Sequence, residues 1–569
     1  MRLRTLLIIV SFATGVLAVG GIGSDPGSGL SAQTSGPAAL GGRVSSKEEG
    51  PMEGVVVNAR RDGANFTVSV VSDAQGKYTF PRTHLGPGKY IVTIRAVGYD
   101  LIDPGPAEVN AGKTASVDLK LQKAKDLASQ LSSLEWAMSI PGTTEQKDKL
   151  VYQTVSCAYC HNWQRVMKSK HTADEFVAIL NRMQTYYTDG SAVSNDGRGR
   201  GQKQTAERVA AVEKNANWGN VPKKDLAEYL ATLNLSGGRT TWPFELKTQP
   251  RPTGKATRVI MTQYDMPRPD TVSHDLDLDS KGTVWYTDES RMYFGKMDPK
   301  TGKFTEWPVL PPVPAGDIPG TRDIQVDKDD NIWFPRRMPG PAIAMTKFNP
   351  KTEEVSTIEG VGGQFLAIGP DGKIWAGFAR IDPKTMKVED RYTWQDSPNL
   401  PPGPHGLYVD LTVVDSKGNP WAPDFRGSGL IRIDAMTKAL KYFAVPTPNS
   451  SPRRSRMDAQ DRLWFAEYTG DKIGMFDTRT EKFQEWPTLP RYMTPYAVSA
   501  PDRNGYVYAT SNTAERLIRL DPKTGEMIQY QIPTDFDSKK IAHDPTTSRS
   551  TLWMVNTRNA RIMKVEPLD

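Results

Sequence analysis

Asp461-Arg462-Leu463-Trp464-Phe465-Ala466-Glu467, followed by Ile473-Gly474-Met475-Phe476-Asp477, is the stretch that decides the fold. A turn opening on an aspartate leads into a short strand centred on a tryptophan. A second strand then closes on the turn Asp477-Thr478, and a third runs from Phe483 to Pro487. The same phrase recurs around Trp285, Trp333, Trp375, Trp421, Tyr508 and Trp553, so that the marker aromatics are separated by 48, 42, 46, 43, 44 and 45 residues. A fixed period of this length marks a repeat architecture.

Four short strands per unit at this period fit the blades of a β-propeller, and seven units predict seven blades. The last unit stops at Asp569, before an outermost strand, and Val259 to Pro267 carries the outer-strand pattern ahead of the first full unit. Closing the ring by this exchange removes exposed sheet edges. The third unit is abbreviated, with only seven residues from Trp375 to Asp382.

Ahead of the repeats, Leu40 to about Gln122 reads as short strands with turns at close intervals, which predicts a small antiparallel sandwich. Gly42-x-Val44, Gly54-Val55, Ser72-Asp73-Ala74-x-Gly76-x-Tyr78-x-Phe80, Leu85-x-Pro87-Gly88-x-Tyr90 and Gly98-Tyr99 resemble the carboxypeptidase regulatory-like (transthyretin-like) domain. That resemblance implies a β-sandwich without peptidase chemistry, of a kind related to carbohydrate-binding-like folds, serving here as a spacer.

Between sandwich and repeats, Phe176, Ile179, Leu180 and Met183 recur at helical spacing, as do Leu226, Tyr229, Leu230 and Leu233. This segment holds both cysteines of the chain, in Cys157-Ala158-Tyr159-Cys160-His161. Cys-x-x-Cys-His is a c-type haem attachment motif. On one helical turn, two thiols add to the two vinyl groups of a porphyrin, and the histidine lies under the iron. One covalent haem c is therefore expected, with Cys157, Cys160 and His161 holding it. The stretch from Ser169-Lys170-His171 to Arg182-Met183 resembles cytochrome domains attached to propellers, which implies Met183 as the distal iron ligand. His171 and Met167 are the alternatives, Met167 standing only six residues beyond His161.

The chain begins with Arg2 and Arg4 before a mostly apolar run, Thr5 to Leu17, and the small-residue site Val16-Leu17-Ala18. This is the pattern of an export signal. An uncleaved membrane anchor is the alternative, since the apolar run extends to Ile22. The 569 residues exceed one core. The organisation expected is a signal peptide over 1–18, a tether over 19–39, the sandwich over 40–123, a cytochrome c domain over 124–240, a linker over 241–255 and the propeller over 256–569. The fold class expected is multidomain and mainly β, with a transthyretin-like sandwich, an all-α cytochrome domain and a seven-bladed propeller. The balance of +7, from 72 basic and 65 acidic residues, is small for this length, and no motif supports nucleic-acid binding.

Aligning the repeats gives two candidate rings around the channel. The first is His274, Arg322, Gln364, Asp410, Arg453, Tyr496 and Lys540; the second is Asp288, Arg336, Phe378, Asp424, Glu467, Ser511 and Asn556. So many polar residues suggest a wet funnel. The repeated Asp-x-x-Gly/Asn-x-x-Trp-Phe turns and the Ile473-Gly474-Met475-Phe476-Asp477 strand resemble the virginiamycin B lyase (streptogramin lyase) family. In that family a histidine and a glutamate fourteen residues apart supply the base and help bind magnesium. Here Glu467 is matched by Arg453, which cannot accept a proton at pH 7. A histidine–acid pair survives at His274 and Asp288, and His405 is a further candidate. His274, Asp288, His405, Glu467 and Arg453 are thus the candidate catalytic residues, with Mg2+ as the ion the resemblance implies.

The function expected is a periplasmic haem c protein of electron transfer, an oxidoreductase or its electron-accepting component. It would work with a periplasmic redox partner, and the propeller would hold a small-molecule or carbohydrate substrate. The alternatives are a non-enzymatic carbohydrate- or protein-binding module, or a magnesium-dependent carbon–oxygen lyase.

Overall fold

The computed structural model describes residues 37–153, 158, 161–187, 206–218, 221–288, 293–309, 321–337, 343–362, 365–377, 379–392, 397–405 and 413–569. The proposed signal peptide and most of the tether lie outside them.

The repeats fold as seven antiparallel blades of four strands, six of them separate sheets and the seventh part of a larger one. In five of them the marker tryptophan is pinned to an aspartate of the preceding turn. The indoles of Trp285, Trp333, Trp421, Trp464 and Trp553 donate to Asp279, Asp327, Asp415, Asp458 and Asp544 over 2.8–3.1 Å. The Tyr508 hydroxyl reaches Asp502 over 3.2 Å. The same carboxylates accept backbone N–H groups of their turns; Asp279, for example, holds Lys281 and Thr283. The aspartate therefore builds the turn and satisfies the one polar atom of a buried ring. In the third blade Gly369 stands where the aspartate should be, and the Trp375 indole N–H has no acceptor. That blade is also the short one: Ile374–Ala376 turns directly into Ala379–Asp382.

Ring closure follows the exchange expected from sequence. Val259–Asp265 pairs antiparallel with Arg561–Pro567, from Val259 opposite Pro567 to Asp265 opposite Arg561. The exchanged strand is not an edge, however. Its other side pairs with Phe66–Val71 of the sandwich, Met261 opposite Ser69 and Tyr264 opposite Phe66. The seventh blade and one sandwich sheet are therefore a single eight-stranded sheet. An outer strand with unpaired backbone groups invites aggregation, and here the sandwich covers it.

Within the sandwich, strand Gly88–Arg95 alternates strictly, with Tyr90 and Val92 buried and Ile91 and Thr93 exposed. Its core joins Leu40, Val44, Val57, Val70, Tyr78, Phe80 and Leu119. Gly42 is obligatory, since a Cβ there would stand 1.9 Å from the Val117 carbonyl oxygen.

The segment over 124–240 requires a correction. It is not an all-α domain. Among the described residues it holds the six α-helices of the chain: Ser133–Ser139, Thr144–Asp148, Gln164–Met167, Ala173–Tyr187, Ala206–Lys214 and Lys223–Leu233. The longest has fifteen residues, and Asn217–Trp218 forms a small ladder with Val221–Pro222. The amphipathic patterns do give helices, and Thr172 and Glu175 cap one of them reciprocally. Helices this short do not enclose a core of their own. Leu134, Trp136, Trp163, Phe176, Leu180 and Leu230 share one cluster with Trp464, Trp486, Tyr492, Met493 and Leu520 of blades five and six. The segment is a helical layer laid on a mainly β protein. Leu134 N–H donates to the Thr513 carbonyl at 2.9 Å, and the Tyr152 hydroxyl donates to Asp471 at 2.5 Å.

Candidate functional site

Blade register separates the two rings read from sequence. Ser273 is opposite Asp288, Pro452 opposite Glu467 and Pro495 opposite Ser511. The first-ring residues stand one place further on, so the rings do not share a face. The second-ring side chains instead hold the loop that enters their own blade. Asp288 accepts Val272 N–H and pairs with Arg268 at 3.0 Å, and Arg268 also binds Glu306. Ser511 donates to the Met493 carbonyl, and Asn556 to that of Asp535. Asp424 takes His405 Nδ1 at 2.5 Å, and His405 Nε2 lies 2.6 Å from the Pro401 carbonyl. Burial works against charge on His405, but these two acceptors outweigh it and raise its pKa. Glu467 is fully buried, and neither of its carboxylate oxygens has a hydrogen-bond partner. Burial first, and then the neighbouring Glu485 carboxylate, push its pKa up to about 8, so it is a neutral acid at pH 7.

The innermost strands contain a device that sequence alignment missed. The register slips between Ser273 and Leu276, between Arg453 and Arg456, and between Pro495 and Val498. Such a bulge re-aims side chains. Arg454, at a positive φ of 44°, reaches from blade five to blade one. It donates to both oxygens of Asp275 at 2.9 and 2.7 Å and lies 3.1 Å from His274 Nδ1. Its guanidinium rests 4.1 Å from the centre of the Phe365 ring. Lys540 reaches Asp323 at 3.2 Å and the Ile324 carbonyl at 2.5 Å. The available signal was the doubled charge at two of these strand starts, His274-Asp275 and Arg453-Arg454; the third, at Tyr496-Ala497, carries none. Two successive buried charges do not fit simple alternation.

Arg453 lies among aromatic faces. Its guanidinium is 3.6 Å from the Tyr496 ring centre and 5.3 Å from those of Phe425 and Tyr468, and it donates to the Tyr496 hydroxyl at 2.5 Å. Lys539, fully buried and paired with Asp537, sits 4.0 Å from the centre of the Tyr496 ring. The structure thus brings His274 together with Asp275 and Arg454, and leaves Asp288, His405, Glu467 and Arg453 in four separate environments. Gln364, Phe378 and Asp410 lie outside the described residues. Among the described residues no group of three His, Cys, Asp or Glu side chains could hold a metal ion.

Of the Cys-x-x-Cys-His motif, Cys157 and Cys160 lie outside the described residues, while Ala158 and His161 lie within them. The Arg558 guanidinium, from the seventh blade, donates to the Ala158 carbonyl. His161 Nδ1 lies 2.8 Å from the Asn162 carbonyl, which orients the ring, so that Nε2 would be the atom to meet a metal. Burial, aided by Arg165 and Arg558, lowers the His161 pKa and favours the neutral imidazole that metal ligation needs. The buried indole N–H groups of Trp136 and Trp163, in the same core, have no acceptor among the described residues. The carboxylates of a porphyrin are acceptors of the kind they lack, so the donor set fits that group. Of the candidate distal ligands, Met183 is partly buried against the shared core. Met167 is fully enclosed. His171 is half-exposed, 3.8 Å from Glu175. Beside Asn162, a cavity of about 220 Å³ opens between helical layer, sandwich and ring, lined by Arg95, Gln130, Glu515 and Asp535.

Fold and site define a seven-bladed propeller whose exchanged closing strand is covered by a β-sandwich and whose inter-strand turns at Asp471, Thr513 and Arg558 hold the helical segment that contains the Cys-x-x-Cys-His motif. Residues 39–122 match the family model of the carboxypeptidase regulatory-like domain, as Gly42, Gly76 and Gly88 with their neighbours implied. No curated protein matches the chain. Among solved structures it is similar to a streptogramin B lyase, at 18% identity over 54% of this chain and 97% of that one, with a TM-score of 0.45. It is likewise similar to virginiamycin B lyase from Staphylococcus aureus, at 20% identity over 54% and 99%, with a TM-score of 0.45. Among the described residues no helix is long and apolar enough to cross a membrane.

Proposed function

We propose that this chain is an exported haem c protein of electron transfer, with one haem held by Cys157, Cys160 and His161 in the helical layer. Such a group supplies a one-electron couple. The observation that carries the reading is the seating of the attachment loop: a buried propeller arginine holds the Ala158 carbonyl, and the loop's histidine is oriented through Nδ1 by the next carbonyl. The protein's residues orient the imidazole, keep it neutral, and screen the loop from water with the Trp136 and Trp163 core. Met183 is the distal ligand in this reading, because Met167 is enclosed and His171 lies at the surface beside Glu175. In this reading the propeller would hold a polar substrate or redox partner, while Arg454, Asp275 and Lys540, all buried, would tie its blades together. An anaerobic screen of candidate donors against the oxidised protein tests this. A visible band that responds to a donor, and is lost in His161→Ala, supports it; a protein without a reducible band overturns it.

A further inference from the structure

Arg558 is a buried cation with no solvent route. Its side chain is 0% exposed, and its donors are spread over four acceptors. Nη1 binds Asp535 at 2.7 Å and the Phe536 carbonyl at 3.4 Å. Nη2 binds the Asn512 carbonyl at 2.8 Å and the carbonyl of Ala158. Three of these acceptors belong to the ring. The fourth lies 400 positions away in sequence, between the two cysteines of the attachment motif. Holding a carbonyl needs only a neutral donor. A guanidinium stays charged at any working pH, and burying it costs free energy that Asp535 offsets by direct pairing and Asp537 and Glu515 by proximity. The charge is thus held by the ring and stands against the attachment motif.

We infer that Arg558 is a positioning residue that fixes the reduction potential of the attached haem from the propeller side, with Asp535 as its opposing charge. The inference rests on the proposed attachment of haem at Cys157 and Cys160. A fixed positive charge beside a redox centre stabilises the state that has gained the electron, and a negative charge does the reverse. In a medium of effective dielectric constant about 20, a unit charge about 12 Å away changes a one-electron equilibrium roughly tenfold. Arg558 and Asp535 thus act with opposite sign on the same couple, Fe(III) plus one electron giving Fe(II), without bond making or breaking. The ring carries the charge, so the loop's electronic environment is set by a different part of the chain from the one that would bind the haem.

The test is potentiometric titration of the matured full-length protein, with intact mass taken on the same samples. Arg558→Gln is expected to lower the midpoint by the 59 mV that corresponds to a tenfold change in a one-electron equilibrium. Arg558→Lys should stay within a threefold change, and Asp535→Asn should raise the midpoint. Loosening the loop by either substitution would move both midpoints in the same direction, so opposite shifts support the inference. If Arg558→Gln does not accumulate, the Arg558→Lys and Asp535→Asn pair decides by the same signs. Haem-loaded variants whose midpoints do not change, or change in the same direction, overturn the inference and leave the attachment reading intact. A wild-type protein at bare polypeptide mass overturns both.

Discussion

Replacing Asp415 with alanine removes one carboxylate that serves four donors. Oδ1 accepts the N–H groups of Lys417 and Asn419 at 3.0 and 2.9 Å. Oδ2 accepts Asn419 Nδ2 at 3.0 Å and the Trp421 indole at 2.9 Å. Lys417 is part-exposed, and water can replace its partner. Trp421 is 1% exposed and Asn419 7%, so the indole and both the backbone and side-chain N–H groups of Asn419 are left unpaired. A buried donor without a partner costs about 1–3 kcal/mol, which puts the loss for these three at about 3–9 kcal/mol in Asp415→Ala. Asp415→Asn keeps an acceptor oxygen and should lose less than half of that. In the double variant Asp415→Ala/Trp421→Phe one orphan disappears, so its cost should fall short of the two single losses added together. Urea unfolding followed by tryptophan fluorescence reads each variant. An Asp415→Ala protein within 0.5 kcal/mol of wild type, by the same scale of surface substitutions, would refute the claim that these aspartates hold the blade turns.

Glu467 carries a folded pKa of about 8 against an ordinary 4.5. The folded state therefore binds the extra proton, and stability falls as pH rises between these values, by about 1.4 kcal/mol per unit. Glu467→Gln should remove the Glu467 share of that slope and leave the shares of the raised carboxylates Asp471 and Glu515, and urea midpoints measured from pH 5 to 8 check it. For His405 the sign is that of a raised histidine: the His405–Asp424 pair adds stability below the unfolded pKa and loses it as pH rises through the folded one. Asp424→Asn should bring the His405 titration, followed by NMR, down to or below the ordinary histidine value. Val68→Pro breaks the sheet that runs from sandwich to ring, where Val68 is opposite both Ala59 and Thr262. Wild type should lose sandwich and ring in one thermal transition and the variant in two; two transitions in wild type would contradict the shared sheet.

The propeller was legible because its signal repeats: an aspartate, a glycine or asparagine and an aromatic, restated every 42 to 48 residues. Even the exchanged strand Val259–Asp265 could be read, since its pattern matched a vacancy at the far end. Its second partner, Phe66–Val71, could not, because a strand buried on two sides by two sheets looks like any apolar strand. The helical segment misled for a different reason. Leu226, Leu230 and Leu233 show that one face is buried, but not against what; the faces meet Trp486 and Met493 of the ring as well as one another. At the channel, the bulges beside His274 and Arg453 shifted the facing residues by one place, and Arg454 and Asp275 were hidden behind the aligned columns. Bulges leave no gap in sequence; doubled charges mark those at His274-Asp275 and Arg453-Arg454, and nothing marks the one at Tyr496-Ala497.

Covalent attachment of haem is the claim on which the functional reading stands, and intact mass of the protein matured in a host with working cytochrome assembly measures it directly. The account predicts polypeptide plus one haem, falling to the bare polypeptide when Cys157 and Cys160 are both replaced by alanine. A colourless wild-type protein at its bare polypeptide mass would contradict it.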